Sequence, residues 1–209
     1  MGSIRASRVQ HMEADIGEHA VLEIDGFLSS SECRWILNEL KYACWRPSLT
    51  YMEQDDGTRR DVLSPLRVSE TAQQSLLTNE MLDKLAEIER RLAGFVEMET
   101  SHLETWQATD YPLGGNFYYH MDSGYWDTHP AGDRIYTFLL YLTTPERGGG
   151  TDFRALGRRV RAKAGKLVVW NNLFANGDSN HRMIHSSMPL LKGRKTTLVT
   201  WLRQKRFRE

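Results

Sequence analysis

The chain has 209 residues, with 27 Lys+Arg balancing 27 Asp+Glu and a pI near 7.1. That length suits one domain that buries its own core, and balanced charge without long single-sign runs removes the electrostatic reason to expect a nucleic-acid partner. Two cysteines, Cys33 and Cys44, are too few for a disulfide framework and fit a reducing, cytoplasmic setting. No stretch approaches the roughly 18 apolar residues of a membrane span. The opening MGSIRASRVQHMEAD lacks the apolar segment of a secretory leader, and Ala6 stands where a myristoylation signal at Gly2 needs Ser or Thr.

In chain order, VLEIDGFLSSSECRWILNEL reads as a short strand and then a helix, with Ser29 as N-cap, Glu32 closing a capping box and Leu28 as a staple. A second helix is expected over residues 79–96, where Leu82, Leu85, Ile88, Leu92 and Val96 recur at helical spacing. Beyond residue 100 the texture changes to strand-length runs, LETWQATDY, NFYYHMD, RIYTFLLYLT, RRVRAK, KLVVWNN and KTTLVTWLR, parted by glycine-bearing turns. This pattern predicts an α+β domain spanning 1–209, with residues 1–100 mostly helical support and 101–205 an antiparallel barrel or jelly roll. The terminal RQKRFRE reads as a solvated tail.

Chemistry concentrates in NFYYHMD. If the strand persists, His120 and Asp122 project from one face and grip the same object. An imidazole and a carboxylate suit Zn, Fe or Mn, but two ligands leave the site open, so a third is sought among His129, His181 and His185. Two histidines and one carboxylate form the facial triad of non-haem iron oxygenases, which leaves one side of the metal free. A bidentate organic acid on that metal would need a fixed cation for its far carboxylate, and Arg194 and Lys195 both stand at the start of the last strand. Periodicity does not choose between them.

Taken together, these motifs resemble the prolyl-4-hydroxylase-like branch of the iron(II)/2-oxoglutarate-dependent dioxygenases over roughly residues 105–203. YPLGGNFYYHMD is similar to that family's tyrosine, double glycine and HxD segment, DRIYTFLLYLT to its next core strand, GGGTDF to its GGxTxF turn, and HSSMPLLKGRK to its distal histidine, proline, glycine and lysine. The resemblance implies a double-stranded β-helix core braced by the N-terminal helices. It implies that His120, Asp122 and His185 hold iron(II), that Lys195 salt-bridges 2-oxoglutarate, and that Tyr111, Tyr141 and Thr151 flank the cosubstrate. O2 would be the second cosubstrate and hydroxylation of a C–H bond the reaction, with succinate and CO2 released. Asp122 fills the position that related halogenases leave to a halide. Phe117 where a tyrosine is usual, Arg154 where many relatives carry proline, and the TTP turn depart from the pattern around the substrate mouth.

The substrate expected is an amino-acid-like small molecule or a peptide, including peptidyl proline. Trp201 and the aromatics Tyr118, Tyr125 and Trp126 are candidates to touch it, and the loop SGYWDTHPAGD to close over it. Two competing readings are a catalytically silent metal-binding barrel and a nucleic-acid demethylase of the same chemistry. An inward-facing Lys195 speaks against the first, and neutral net charge against the second.

Overall fold

The computed structural model describes residues 21–53, 55–126 and 128–208; Gly2 and Ala6, with Asp127 and Glu209, lie outside the described residues. Val21–Ile24 (β1) leads into helix Ser30–Glu39 (α1), and the strands Arg46–Pro47 (β2), Thr50–Glu53 (β3), Arg59–Val62 (β4) and Glu70–Gln73 (β5) precede helix Asn79–Val96 (α2). Gln107–Tyr111 (β6), Phe117–His120 (β7), Arg134–Tyr141 (β8), Arg147–Gly148 (β9) and Thr151–Phe153 (β10) come next. The chain continues through Arg158–Val160 (β11), Leu167–Asn171 (β12), His185–Ser187 (β13), Leu190–Lys192 (β14) and Lys195–Arg203 (β15).

Both helices begin as their sequences dictate. Glu32 N–H donates to Ser29 Oγ at 3.1 Å while Ser29 N–H donates to the Glu32 carboxylate at 2.7 Å, a closed capping box. Thr78 caps α2 by accepting from Met81 N–H at 3.2 Å. The buried stripe of α2 is Met81, Leu85, Ile88 and Leu92, with Leu82 only half-buried. Among the described residues no helix is long and apolar enough to cross a membrane.

The strands form a jelly roll of two antiparallel sheets. The larger runs β1-β12-β8-β15-β6-β5-β2 and the smaller β11-β10-β13-β7. Strand periodicity then splits the large sheet into two faces. Ala108, Phe138, Leu140, Leu198 and Leu202 pack with Ile36, Leu40, Leu85, Ile88 and Leu92 of the helical layer. The alternate residues, among them Thr109, Tyr111, Thr137, Lys195, Thr197 and Trp201, face an interior cavity of about 890 Å³.

Two expectations need correction. Among the described residues up to 100, helix does not dominate: β1, β2 and β5 extend the large sheet and β3 pairs with β4 in a separate hairpin. Strands β2 to β5 have two to four residues, and β2 and β4 are largely exposed, so they carry no period-two apolar signal. The C-terminal segment is solvated only in part: residues 204–206 are exposed, but Arg203, Phe207 and Arg208 are docked. Phe207 lines the cavity and stacks on His129, and the Arg208 guanidinium pairs with buried Glu89 at 2.8 Å.

Candidate active site

The small sheet supplies two imidazoles. Strands β13 and β7 pair so that His185 lies opposite His120 and Ser187 opposite Phe117, a two-residue step against a three-residue step. The resulting irregularity breaks alternation in β7. Phe117 and His120 both turn to the cavity, with their rings stacked at 3.7 Å, while Tyr118 is 54% exposed. Tyr118 therefore does not line the cavity, contrary to expectation, and Tyr119 reaches outward to the Asp152 carboxylate.

Asp122 arrives differently. The strand ends at His120, so a continuing strand face does not place the carboxylate; Asp122 sits in the bend that follows. Its Oδ2 accepts a hydrogen bond from the Thr137 hydroxyl at 2.7 Å. The ligand-capable atoms of His120, Asp122 and His185 lie within 4.8 Å of one another. The Nε2 atoms of His120 and His185 approach the Asp122 carboxylate at 3.9 and 3.7 Å.

Each imidazole is oriented from behind. Nδ1 of His120 bonds the Tyr118 carbonyl at 2.8 Å and Nδ1 of His185 bonds the Met183 carbonyl at 2.9 Å. A carbonyl only accepts, so Nδ1 holds the proton and Nε2 presents its lone pair toward Asp122. Burial, reinforced by His185, pushes the His120 imidazole down to about 3, which keeps it neutral. For Asp122, burial opposes the charge, but His185, His120 and Arg134 outweigh it and hold the carboxyl below its usual range. Trp170 and Phe153 back the His185 ring with centroids at 4.7 and 5.6 Å. Two imidazole nitrogens and one carboxylate facing an open cavity make a donor set for a divalent transition metal.

Lys195 enters from the large sheet and is 2% exposed. Its ammonium donates to Ser187 Oγ at 2.6 Å and lies 4.3 Å from the Tyr111 ring and 5.8 Å from the Tyr141 ring. Among the described residues no carboxylate pairs with it, and burial pushes its pKa down to about 7. Arg194 points the other way and bonds Asp110 at 3.1 Å. Tyr141 does not line the cavity directly; its hydroxyl bonds Thr151 Oγ1 at 2.5 Å, and Thr151 lines the cavity. Gly149 (φ +70°) passes so near that a Cβ there would meet Lys195 Cδ at 3.3 Å, so the glycine run keeps room for the lysine.

Tyr125, Trp126 and Trp201 line the cavity as expected. Tyr51 of the β3–β4 hairpin stacks on Trp126 at 5.1 Å, laying the hairpin over the SGYW loop. Glu104, Arg134 and Arg203 form a buried ion-pair cluster in the wall, with Arg134 3.7 Å from the Trp201 ring centroid. Arg67 lies 4.7 Å from the Phe117 ring and donates to the Leu49 carbonyl. No local motif marks these wall residues, because they come from separate segments: Arg67 and Glu104 lie between strands, Arg134 in β8 and Arg203 in β15. Two histidines considered as ligands stay apart. His129 belongs to the far wall beside Phe207, and His181 packs edge-on to Phe174 in a turn.

The strand half of the chain matches a known family model: residues 106–203 fit the 2OG-Fe(II) oxygenase superfamily. The human prolyl 4-hydroxylase subunit alpha-1 is 31% identical over 145 residues, which cover 66% of this chain and 27% of that subunit. The chain thus spans about a quarter of that relative's length. Among solved structures, the viral collagen prolyl hydroxylase of Paramecium bursaria Chlorella virus-1, in its 2OG complex, superposes with a TM-score of 0.63 at 23% identity, covering 88% of this chain and 95% of that one. The Pseudomonas putida prolyl-4-hydroxylase gives a TM-score of 0.64 at 19% identity, over 94% of this chain and 99% of its own. At those identities the likeness establishes the jelly-roll fold.

Proposed function

Since the chain belongs to the 2OG-Fe(II) oxygenases, in their prolyl-4-hydroxylase-like branch, we propose that it hydroxylates a C–H bond of a peptidyl, including prolyl, or amino-acid-like substrate. His120, Asp122 and His185 would hold iron(II), and the donor set fits: both Nε2 lone pairs and the carboxylate converge, and both rings are fixed through Nδ1. Bound there, the metal with 2-oxoglutarate and O2 supplies the oxidising power, and succinate and CO2 leave.

The chain's own residues provide binding and orientation. Lys195 carries the reading. A buried ammonium without a carboxylate partner is costly, and a dicarboxylate whose far end reaches Lys195 and Ser187 relieves it, with the Tyr111 ring alongside. The same feature disfavours a silent metal-binding barrel, which has no use for an inward cation. Farther along the same large sheet, Trp201 and the Arg134–Glu104 pair line the cavity, where a substrate would lie against fixed surfaces.

The cavity also bears on substrate class. Its rim includes Leu49, 45% exposed, and Leu63, 70% exposed, well beyond what one free amino acid would cover. A short peptide fits this better than a free amino acid. The test incubates the protein with iron(II), 2-oxoglutarate and short proline-containing peptides beside free proline, following succinate release and the mass gain of one oxygen atom. Hydroxylation of peptides supports the reading; succinate with neither substrate class oxidised contradicts it.

A further inference from the structure

Of the three clustered groups, Asp122 alone lies outside a strand. His120 and His185 belong to paired strands, β7 and β13; Asp122 has no such ladder, and its side chain is nonetheless 93% shielded, being 7% exposed. What holds it is a chain of buried hydrogen bonds. Asn172 Nδ2 donates to Thr137 Oγ1 at 2.8 Å, and the Thr137 hydroxyl donates to Asp122 Oδ2 at 2.7 Å. Thr137 is 1% exposed and Asn172 2%.

The direction of this chain follows from its chemistry. The amide N–H occupies the threonine oxygen as acceptor, which commits the single hydroxyl proton to the carboxylate. Asn172 also grips the neighbouring backbone, since its carbonyl accepts from Ser123 Oγ at 2.8 Å and from Asn180 N–H at 2.8 Å. Its own N–H donates to the Ile135 carbonyl at 2.6 Å. One asparagine at the end of β12 therefore ties together the Asp122 side chain, the residue after it, β8 and the loop leading to His185. Asp122 Oδ1 receives no hydrogen bond among the described residues, so one carboxylate oxygen is held and the other left for a metal.

We infer that Thr137 and Asn172 are positioning residues for the metal carboxylate: they fix the orientation of Asp122 and thereby set metal affinity. The inference rests on the reading of the triad as the metal site. A merely structural buried network would alter thermal stability and leave metal affinity alone, so the two roles separate experimentally. Outer-shell partners of ligating groups typically change metal affinity about 10- to 100-fold when removed.

The experiment titrates the full chain anaerobically with Mn(II) in the presence of 2-oxoglutarate, by calorimetry, alongside thermal unfolding of the metal-free protein. Thr137→Val keeps the shape and removes the hydroxyl; it is expected to weaken Mn(II) binding about 10- to 100-fold, and Thr137→Ser to restore it. Asn172→Ala, which removes the donor but leaves the three bonds of its backbone, is expected to fall between them, and it carries the test should Thr137→Val not fold. Wild-type affinity in Thr137→Val or Asn172→Ala, or equal loss in Thr137→Ser and Thr137→Val, overturns the inference and leaves the metal site standing. No Mn(II) binding in the wild type overturns both.

Discussion

His185 and His120 stand opposite one another across the antiparallel β13–β7 pair, with their ring centroids 4.3 Å apart. Residues 65 positions apart in sequence are thereby held by a backbone ladder, and each Nδ1 proton is taken up by a carbonyl two residues earlier in the chain. The sheet orients both lone pairs before any metal arrives. Four expectations follow from this site and its walls.

Lys195→Met removes the cation and keeps a long side chain of similar reach. Affinity for 2-oxoglutarate should fall roughly 10- to 100-fold, the worth of a charge-assisted hydrogen bond. Mn(II) binding without cosubstrate should be unchanged, because Lys195 is not among the clustered metal-ligand candidates. Calorimetry with each ligand separates the two effects.

The Lys195 ammonium, pushed down to about 7 by burial, gives 2-oxoglutarate binding a definite pH dependence. The dicarboxylate prefers the charged lysine, so binding raises the lysine pKa. Affinity should be level below about pH 7 and fall as pH rises above it, by up to about tenfold per unit, until the pKa of the complex is passed. Lys195→Arg, if it retains binding, should flatten this dependence because a guanidinium stays charged. Titrations across roughly pH 6 to 9 check the sign; affinity rising with pH would contradict it.

Tyr51 stacks on Trp126 with planes inclined at 13°. Tyr51→Ala should free the β3–β4 hairpin from the SGYW loop at a cost of about 1 kcal/mol. The KM for a peptide substrate should rise up to about tenfold, with affinities for metal and 2-oxoglutarate unchanged. An equal loss for all three ligands would mean that the hairpin supports the whole site.

Glu89 is a buried anchor between α2 and the C-terminal segment. It accepts from Trp106 Nε1 at 2.9 Å and from Arg208 at 2.8 and 2.9 Å. Glu89→Ala leaves an indole N–H and a guanidinium without their partner, and should cost about 3 kcal/mol in urea unfolding. Deleting residues from Arg206 onward should cost part of that, since Trp106 would keep its acceptor.

Much of this architecture is legible in the residues, for physical reasons that also mark where legibility stops. Helix α2 runs over the 79–96 span its periodicity requires, and β8, β12 and β15 coincide with long β-branched and aromatic runs. Strands β2 to β5 escape notice because they are short and carry polar or exposed residues. Alternation could not choose between Arg194 and Lys195: β15 is covered on both faces, with eight of its nine residues buried, so neither face reads as polar. Tyr118 misleads because the irregular β7–β13 pairing shifts the face that it would share with His120 in a regular strand. Thr137 and Asn172 show no motif at all, since their role exists only once β8 and β12 lie side by side.

The central claim is that the triad and Lys195 together bind iron(II) and 2-oxoglutarate. Anaerobic addition of both to the wild type should produce a weak visible metal-to-ligand charge-transfer band, lost in His185→Ala and in Lys195→Ala. A wild type without the band, or a band that survives His185→Ala, would contradict the account.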